Sequence, residues 1–259
     1  MEVATPTLCA LNVETYGAFV MFSVQVDIDV LAAARAVMLS HTAKHDLDML
    51  IKTVLTEAFG GAVVRPWSLH RQAGQIGSVI GYSATSPADI ETRLGTALPS
   101  IRMAIKAVYG HGLPALTAGQ KFRFSVRLCP TMRITPSKDK SHPHGEIDAF
   151  LVAVQRGENN IDREGVYTRY LVERLKGSIV ERTKLTRFRL EQMSRPHRGA
   201  SAPPSGVAQR VVPDAVLEGI LKVSDPELFL QTLMSGVGRQ RAFGRGYVRL
   251  EPLRLSAAA

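Results

Sequence analysis

The sequence predicts an α+β fold, and three observations lead there. Over residues 1–134 strand-like and helix-like segments follow one another as strand, helices, strand, strand, helix, strand. A polar, proline-containing stretch at 135–146 then reads as a linker. Beyond it, residues 147–259 carry further strand and helix signals, with room for a second domain in a chain of 259 residues. The order βαββαβ is that of a ferredoxin-like (RRM-like) unit, so the expectation is two such domains in tandem.

Each element has its own signal. Residues 11–27 are rich in Val and Phe and read as a long strand, with Tyr16-Gly17 as a candidate turn. Asp29 caps an Ala-rich helix ending near Ser40. Thr42 or His45 opens a second helix, in which Leu47, Leu50, Ile51, Val54, Leu55 and Phe59 recur at helical spacing until Gly60-Gly61. Residues 67–72 and 77–83 read as paired strands. Ser86-Pro87 starts a helix expected to reach Tyr109, with Ile101 and Ile105 on its inner face. The alternating run Lys121-Phe-Arg-Phe-Ser-Val-Arg-Leu128 is expected to close the first domain. In the second half, 147–154 fits a strand or a helix start, 162–175 a helix, and 216–223 a strand. Asp225-Pro226 marks a helix start, 247–250 a last strand, and the Pro/Gly/Ser-rich 195–206 a mobile loop.

Lys and Arg number 32 against 23 acidic residues, a formal charge of +9. That surplus favours a polyanionic partner, either nucleic acid or an anionic membrane surface. No apolar run approaches the roughly 20 residues of a membrane span, and the N-terminus lacks a signal-peptide pattern. With only Cys9 and Cys129 one disulfide can form, and a reduced, cytoplasmic setting is the favoured expectation. The surplus is concentrated. Between Arg163 and Arg198 ten basic residues face four acids, leaving +6 of the total. We read residues 163–200 as a basic helical insertion, with Arg182, Lys184, Arg187, Arg189 and Arg195 placed to contact RNA phosphates.

A second basic segment runs Gly236-Val-Gly238-Arg239-Gln-Arg241-Ala-Phe243-Gly244-Arg245-Gly246. Its glycines permit close approach to a phosphate backbone, and Arg239, Arg241 and Arg245 supply charge. No Gly-Lys-Ser/Thr follows, so it is not a Walker loop. The helix-then-strand order also rules out a dinucleotide fingerprint. Together with Leu217-Glu-Gly219-Ile-Leu-Lys-Val223 and Asp225-Pro-Glu-Leu-Phe229, this tail closely resembles the C-terminus of the CRISPR repeat-processing endoribonucleases of the RAMP superfamily. The nearest form is the type I-E (CasE-like) one. Residues 46–59, 68–83 and 119–131 resemble further family segments in order. The residues before Asp46 and the Arg-rich stretch at 182–198 depart from a compact type I-E member and suit a type IV relative.

The resemblance implies tandem ferredoxin-like domains and cleavage of precursor CRISPR RNA at the 3′ base of each repeat hairpin. It also implies no metal or other cofactor, and retention of the product crRNA within an effector complex of other CRISPR subunits. Metal-free cleavage needs a base for the 2′-hydroxyl, an acid for the leaving oxygen and cations for the phosphate. The family commonly places a His on its first helix. Alignment on Phe59 puts Lys52 there instead. His41 and His45, four residues apart, are the nearest imidazoles, and without a Glu between them they form no His-Glu-x-x-His site. We therefore expect His45, with His41 as alternative, to transfer protons, and Lys52 or Arg35 to stabilise charge. Two further readings stay open: a non-cleaving crRNA-binding subunit of the same superfamily, and a general RNA-binding protein.

Overall fold

The computed structural model describes residues 21–40, 46–61, 63–133, 146–196 and 207–253, and in them the chain forms two four-stranded antiparallel sheets. The first half runs β1 (Phe22–Asp29), α1 (Val30–Ser40), α2 (Leu47–Phe59), β2 (Trp67–Ala73), β3 (Ile76–Ser83), α3 (Pro87–Thr96), α4 (Pro99–Ala104) and β4 (Ile105–Gly112). The second half runs β5 (Lys121–Leu128), β6 (Thr131–Arg133), β7 (Glu146–Asp148), α5 (Ala149–Gln155), α6 (Arg163–Val172), β8 (Ser178–Pro196), β9 (Val207–Val223), α7 (Pro226–Ser235) and β10 (Val248–Pro252). The sheet orders are β2-β3-β1-β4 and β10-β5-β9-β8. In each, the first strand of the unit lies between the third and the fourth, which is the split βαβ arrangement of a ferredoxin-like fold. The tandem ferredoxin-like expectation therefore holds.

Local chemistry explains most boundaries. The Asp29 carboxylate accepts from Ala32 N and starts α1. Asp46, not Thr42 or His45, caps α2 by accepting from Met49 N at 2.7 Å. Asp162 and Asp225 cap α6 and α7 in the same way. Gly60, at φ 76°, ends α2. Residues 147–154 combine both expected states, a short strand followed by a helix. Residues 11–20, with the Tyr16-Gly17 turn, and 134–145, most of the expected linker, lie outside the described residues, as do 197–206 of the expected mobile loop.

Three expectations need correction. The helix from Ser86 ends at Thr96, because Pro99 disfavours helical backbone at Leu98. Ile105, Val108 and Tyr109 then continue as β4 rather than as a helical face, which suits their β-branched and aromatic side chains. With β4 beside β1, the run Lys121–Leu128 does not close the first sheet; it is β5, the inner strand of the second. Finally, the basic insertion is not helical beyond α6. It is the strand β8, paired along its length with β9 in a long hairpin from Ser178↔Val223 to Pro196↔Val207.

The period-2 pattern of β5 shows how the second core forms. Phe122, Phe124, Val126 and Leu128 are buried against Leu171, Leu217, Leu221 and Phe229, while Lys121, Arg123, Ser125 and Arg127 point the other way. Truncating Phe124 to Ala would cost about 3–5 kcal/mol. Val24, Val26, Ile28, Ile51, Val54 and Phe59 build the equivalent core of the first unit. The units meet where Tyr82 of β3 donates to Val248 O at 2.7 Å and its ring lies 4.7 Å from that of Tyr247.

Candidate nucleic-acid interface

Opposite residues in an antiparallel pair share a face, so register assigns the outward side of the second sheet. Arg123 pairs with Ile220 and that with Arg182; Ser125 with Glu218 and Lys184; Arg127 with Val216 and Arg187. Arg189 follows opposite Asp214, and Arg249 of β10 opposite Ser125. Even-numbered Arg182 and Lys184 could not share a face with odd-numbered Arg187 and Arg189 in a regular strand. A register shift between Leu185 and Arg187 inserts one residue and brings all four to the same side. An earlier shift between Val180 and Arg182 brings β9 so close that a Cβ on Gly219 would lie 2.0 Å from Arg182 O. The expected basic residues are thus gathered by a bulged strand. Arg195 pairs with Ala208 further along it.

Where this face meets α2, seven charged residues interlock. Arg127 binds Asp214 through Nε at 2.6 Å, Glu191 through Nη2 at 2.6 Å and Asp48 through Nη1 at 3.1 Å. Arg245 reaches Glu191 at 2.6 Å, Asp48 at 3.0 Å and Asp214 at 3.4 Å. Arg187 and Arg189 both hold Asp214 Oδ2, at 3.0 and 3.1 Å. Four guanidiniums face three carboxylates, a surplus of one positive charge. Burial alone would raise the Asp214 carboxyl, but Arg127 and then Arg245 outweigh it and hold it below its ordinary range. Burial likewise works against charged Arg127, yet Asp48, Asp214 and Glu191 raise its pKa.

The glycine segment serves a different purpose from the one expected. Gly236, Gly238, Gly244 and Gly246 all have φ between 69° and 79°. A Cβ would meet Pro66 at 2.8 Å from Gly236, the Tyr170 hydroxyl at 3.1 Å from Gly238, Trp67 at 2.8 Å from Gly244 and Val237 O at 2.4 Å from Gly246. The close approach these glycines permit is to the protein itself. Arg245 is 0% exposed and is a strut between the units, so it is corrected as a surface phosphate contact. Arg239 pairs with Glu146, and Arg241 donates to Ser235 O and Gly236 O; both are half-buried.

Of the residues expected to act in cleavage, Lys52 lies on α2 one turn from Asp48, its Nζ 5.7 Å from the centre of the Phe243 ring. Arg35 is exposed on α1. His41 and His45 lie outside the described residues. Among the described residues no group of three or more His, Cys, Asp or Glu is placed to hold a metal ion, and no helix is long and apolar enough to cross a membrane.

Sequence reading missed the cleft between the two sheets. Ser68, Leu69, His70 and Ile80 of the first sheet face Ser125, Arg127, Arg187, Tyr247 and Arg249 across a space of about 220 Å³. A second hollow of about 210 Å³, reaching Asp46, Asp48 and Arg189, shares Leu69, Arg127 and Arg187 with it. Arg249 Nη1 lies 3.2 Å from His70 Nδ1. Burial, then Arg249 and Arg71, lower the His70 pKa against the smaller opposing effect of Glu251. His70 sits at the register shift of β2 between Leu69 and Arg71, and its neighbours in sequence say nothing about what lies opposite.

Comparison with known proteins fits this geometry. The chain is similar to the CRISPR endoribonuclease Cse3 bound to a 19-nucleotide RNA (TM-score 0.60, 21% identity, 90% of this chain and 100% of that one). It is also similar to Cas6e from Escherichia coli K-12 (TM-score 0.56, 14% identity, the same coverage) and to a chain of a CRISPR RNA-guided surveillance complex before nicking (TM-score 0.58, 12% identity, the same coverage). At such identities these likenesses establish the shared fold. No curated protein matches the chain by sequence. The model of a CRISPR-associated protein family matches residues 21–252, which span both ferredoxin-like units and the cleft between them, and the chain belongs to that family.

Proposed function

We propose that this chain matures CRISPR RNA. It binds the repeat hairpin of the precursor on the outward face of its second sheet, cuts at the hairpin's 3′ base without a metal, and keeps the product for an effector complex. The observation that supports this best is the bulged register of β8, which turns Arg182, Lys184, Arg187 and Arg189 to one side. Arg187 and Arg189 bind Asp214 yet keep side chains 47% and 51% exposed. Asp214 therefore orients the two guanidiniums and leaves N–H groups for phosphate oxygens. A-form RNA offers phosphates and shape rather than base edges in its major groove, and a twisted basic ribbon suits that readout. In the cut, the 2′-hydroxyl attacks the adjacent phosphorus and leaves a 2′,3′-cyclic phosphate and a 5′-hydroxyl. His45, with His41 as alternative, is the sequence-assigned proton carrier, and Lys52 or Arg35 the charge stabiliser. Such a substrate implies a cytoplasmic setting.

One observation favours a second reading, a non-cleaving crRNA-binding subunit. The α2 side nearest the glycine segment presents Asp48 and Lys52, and no imidazole. Incubating the protein with a labelled repeat hairpin in EDTA separates the two. A single cut at the hairpin base, with a cyclic phosphate end, is expected. Tight binding without a cut would establish the second reading, and equal binding to unrelated duplexes would reject both.

A further inference from the structure

We propose that the face of the β8–β9 hairpin turned towards α5 and α6 docks a protein subunit of the effector complex, through a carboxylate that the subunit presents to Arg163 between aliphatic side chains. The inference rests on the reading above, in which the product crRNA is kept for such a complex, and it names the surface where the two meet.

Arg163 is built as an anchor. Its guanidinium lies between two rings, 4.5 Å from the centre of Phe150 on α5 and 4.2 Å from that of Phe188 on β8. Nη1 donates to Asp148 Oδ2 and to the Tyr167 hydroxyl, each at 2.7 Å, and the Tyr167 hydroxyl donates to Asp148 Oδ1 at 2.9 Å. Asp148 is itself fixed, because it caps α5 by accepting from Phe150 N. One nitrogen thus takes the internal partners. Among the described residues none binds Nε or Nη2, and the side chain stays 31% exposed. A planar guanidinium held by stacking, with its Nε–Nη2 edge unclaimed, matches a carboxylate in two parallel hydrogen bonds.

Apolar side chains continue from both rings. On α5, Leu151 and Val154 are exposed, and helical spacing puts them on the same side as Phe150. On the hairpin, Leu190 lies two positions beyond Phe188, and Val211 lies opposite Gln192, so register places Phe188, Leu190 and Val211 on one face. Leu190 is 62% exposed and Val211 66%. An arginine and aromatic rings amid aliphatic side chains have the composition of an interface centre. RNA suits this face poorly: aliphatic groups gain nothing from phosphates, and Asp148, Asp162 and Glu164 set negative charge beside the one cation. Nor do the two ligands compete. Arg187 and Arg189 alternate with Phe188 and Leu190, so they point to the opposite side of the strand. One ribbon can hold crRNA on one face and a protein on the other.

The test uses the full chain loaded with repeat RNA and, as probe, the purified protein subunits of the effector complex, with affinity read by biolayer interferometry and assembly by size exclusion. Arg163→Ala, and separately Leu190→Ser combined with Val211→Ser, are each expected to weaken subunit binding by about tenfold or more while repeat affinity stays as in the wild type. Leu190 and Val211 are exposed, so the double variant keeps the fold even if Arg163→Ala loosens it. A photo-crosslinking residue in place of Leu190 should capture a protein subunit. Wild-type subunit affinity in the double variant, loss of its repeat affinity, or crosslinks from that position to RNA alone would overturn the surface and leave the crRNA reading intact. Subunits that never bind the wild-type chain and its crRNA would overturn the reading on which the surface stands.

Discussion

Replacing Arg245 tests the buried charge cluster most sharply. The side chain is 0% exposed and meets three carboxylates, Glu191 at 2.6 Å, Asp48 at 3.0 Å and Asp214 at 3.4 Å. Breaking a buried ion pair by removing one partner usually costs 3–5 kcal/mol. Here each orphaned carboxylate keeps Arg127, at 2.6 to 3.1 Å, so the loss falls at the low end, about 3 kcal/mol. For a chain of this size that lowers the melting temperature by roughly 6–12 °C. Arg245→Met keeps most of the volume and separates charge from packing. It should recover part of the Ala loss but not all of it. Thermal melting without RNA, followed by circular dichroism, reads both. A shift below about 2 °C for Arg245→Ala would refute the strut. Loss of repeat affinity with unchanged melting would make Arg245 an RNA contact after all.

Other outcomes follow from the same geometry. Asp214 has a lowered folded pKa, so its contribution to stability is present above the unfolded value near 4 and is lost as pH falls through the lower folded value. Melting of the wild type should drop steeply below about pH 4, and Asp214→Asn should melt lower at neutrality with a flatter acid limb. Parallel acid curves would remove Asp214 from that role. Arg187→Ala combined with Arg189→Ala should weaken repeat binding and reduce the slope of log affinity against log salt by about 1.5–2, as two phosphate contacts are lost. An unchanged slope would move RNA off β8. Arg239→Ala combined with Arg241→Ala should change that slope less, because both residues are half-buried while Arg187 and Arg189 are more exposed. An equal or larger change would restore the glycine segment as the main grip.

Elements defined by their own neighbours were legible in the sequence. Asp29, Asp162 and Asp225 cap helices through carboxylates that accept from the N–H three residues on, and β5 alternates strictly. The failures arose where two local signals competed. Ile101 and Ile105 lie four apart, as on a helix face, yet Pro99 and the β-branched run favoured a turn into β4. The bulges of β8 break its alternation, so the segment read as a basic helix, and Pro213 confined the expected partner strand to 216–223, the C-terminal part of β9. The site depended on distance along the chain. Asp48 and Arg245 stand 197 positions apart, and His70 and Arg249 stand 179 apart. Glycine chemistry in 236–246 was visible, but whether the close partner is RNA or Trp67 is decided only by packing.

Photo-crosslinking of a repeat hairpin to the full chain, with the crosslinked peptides identified by mass spectrometry, tests where RNA lies most directly. Crosslinks should concentrate on residues 182–189 of β8. Crosslinks confined to α3 and α4 of the first unit would contradict this account.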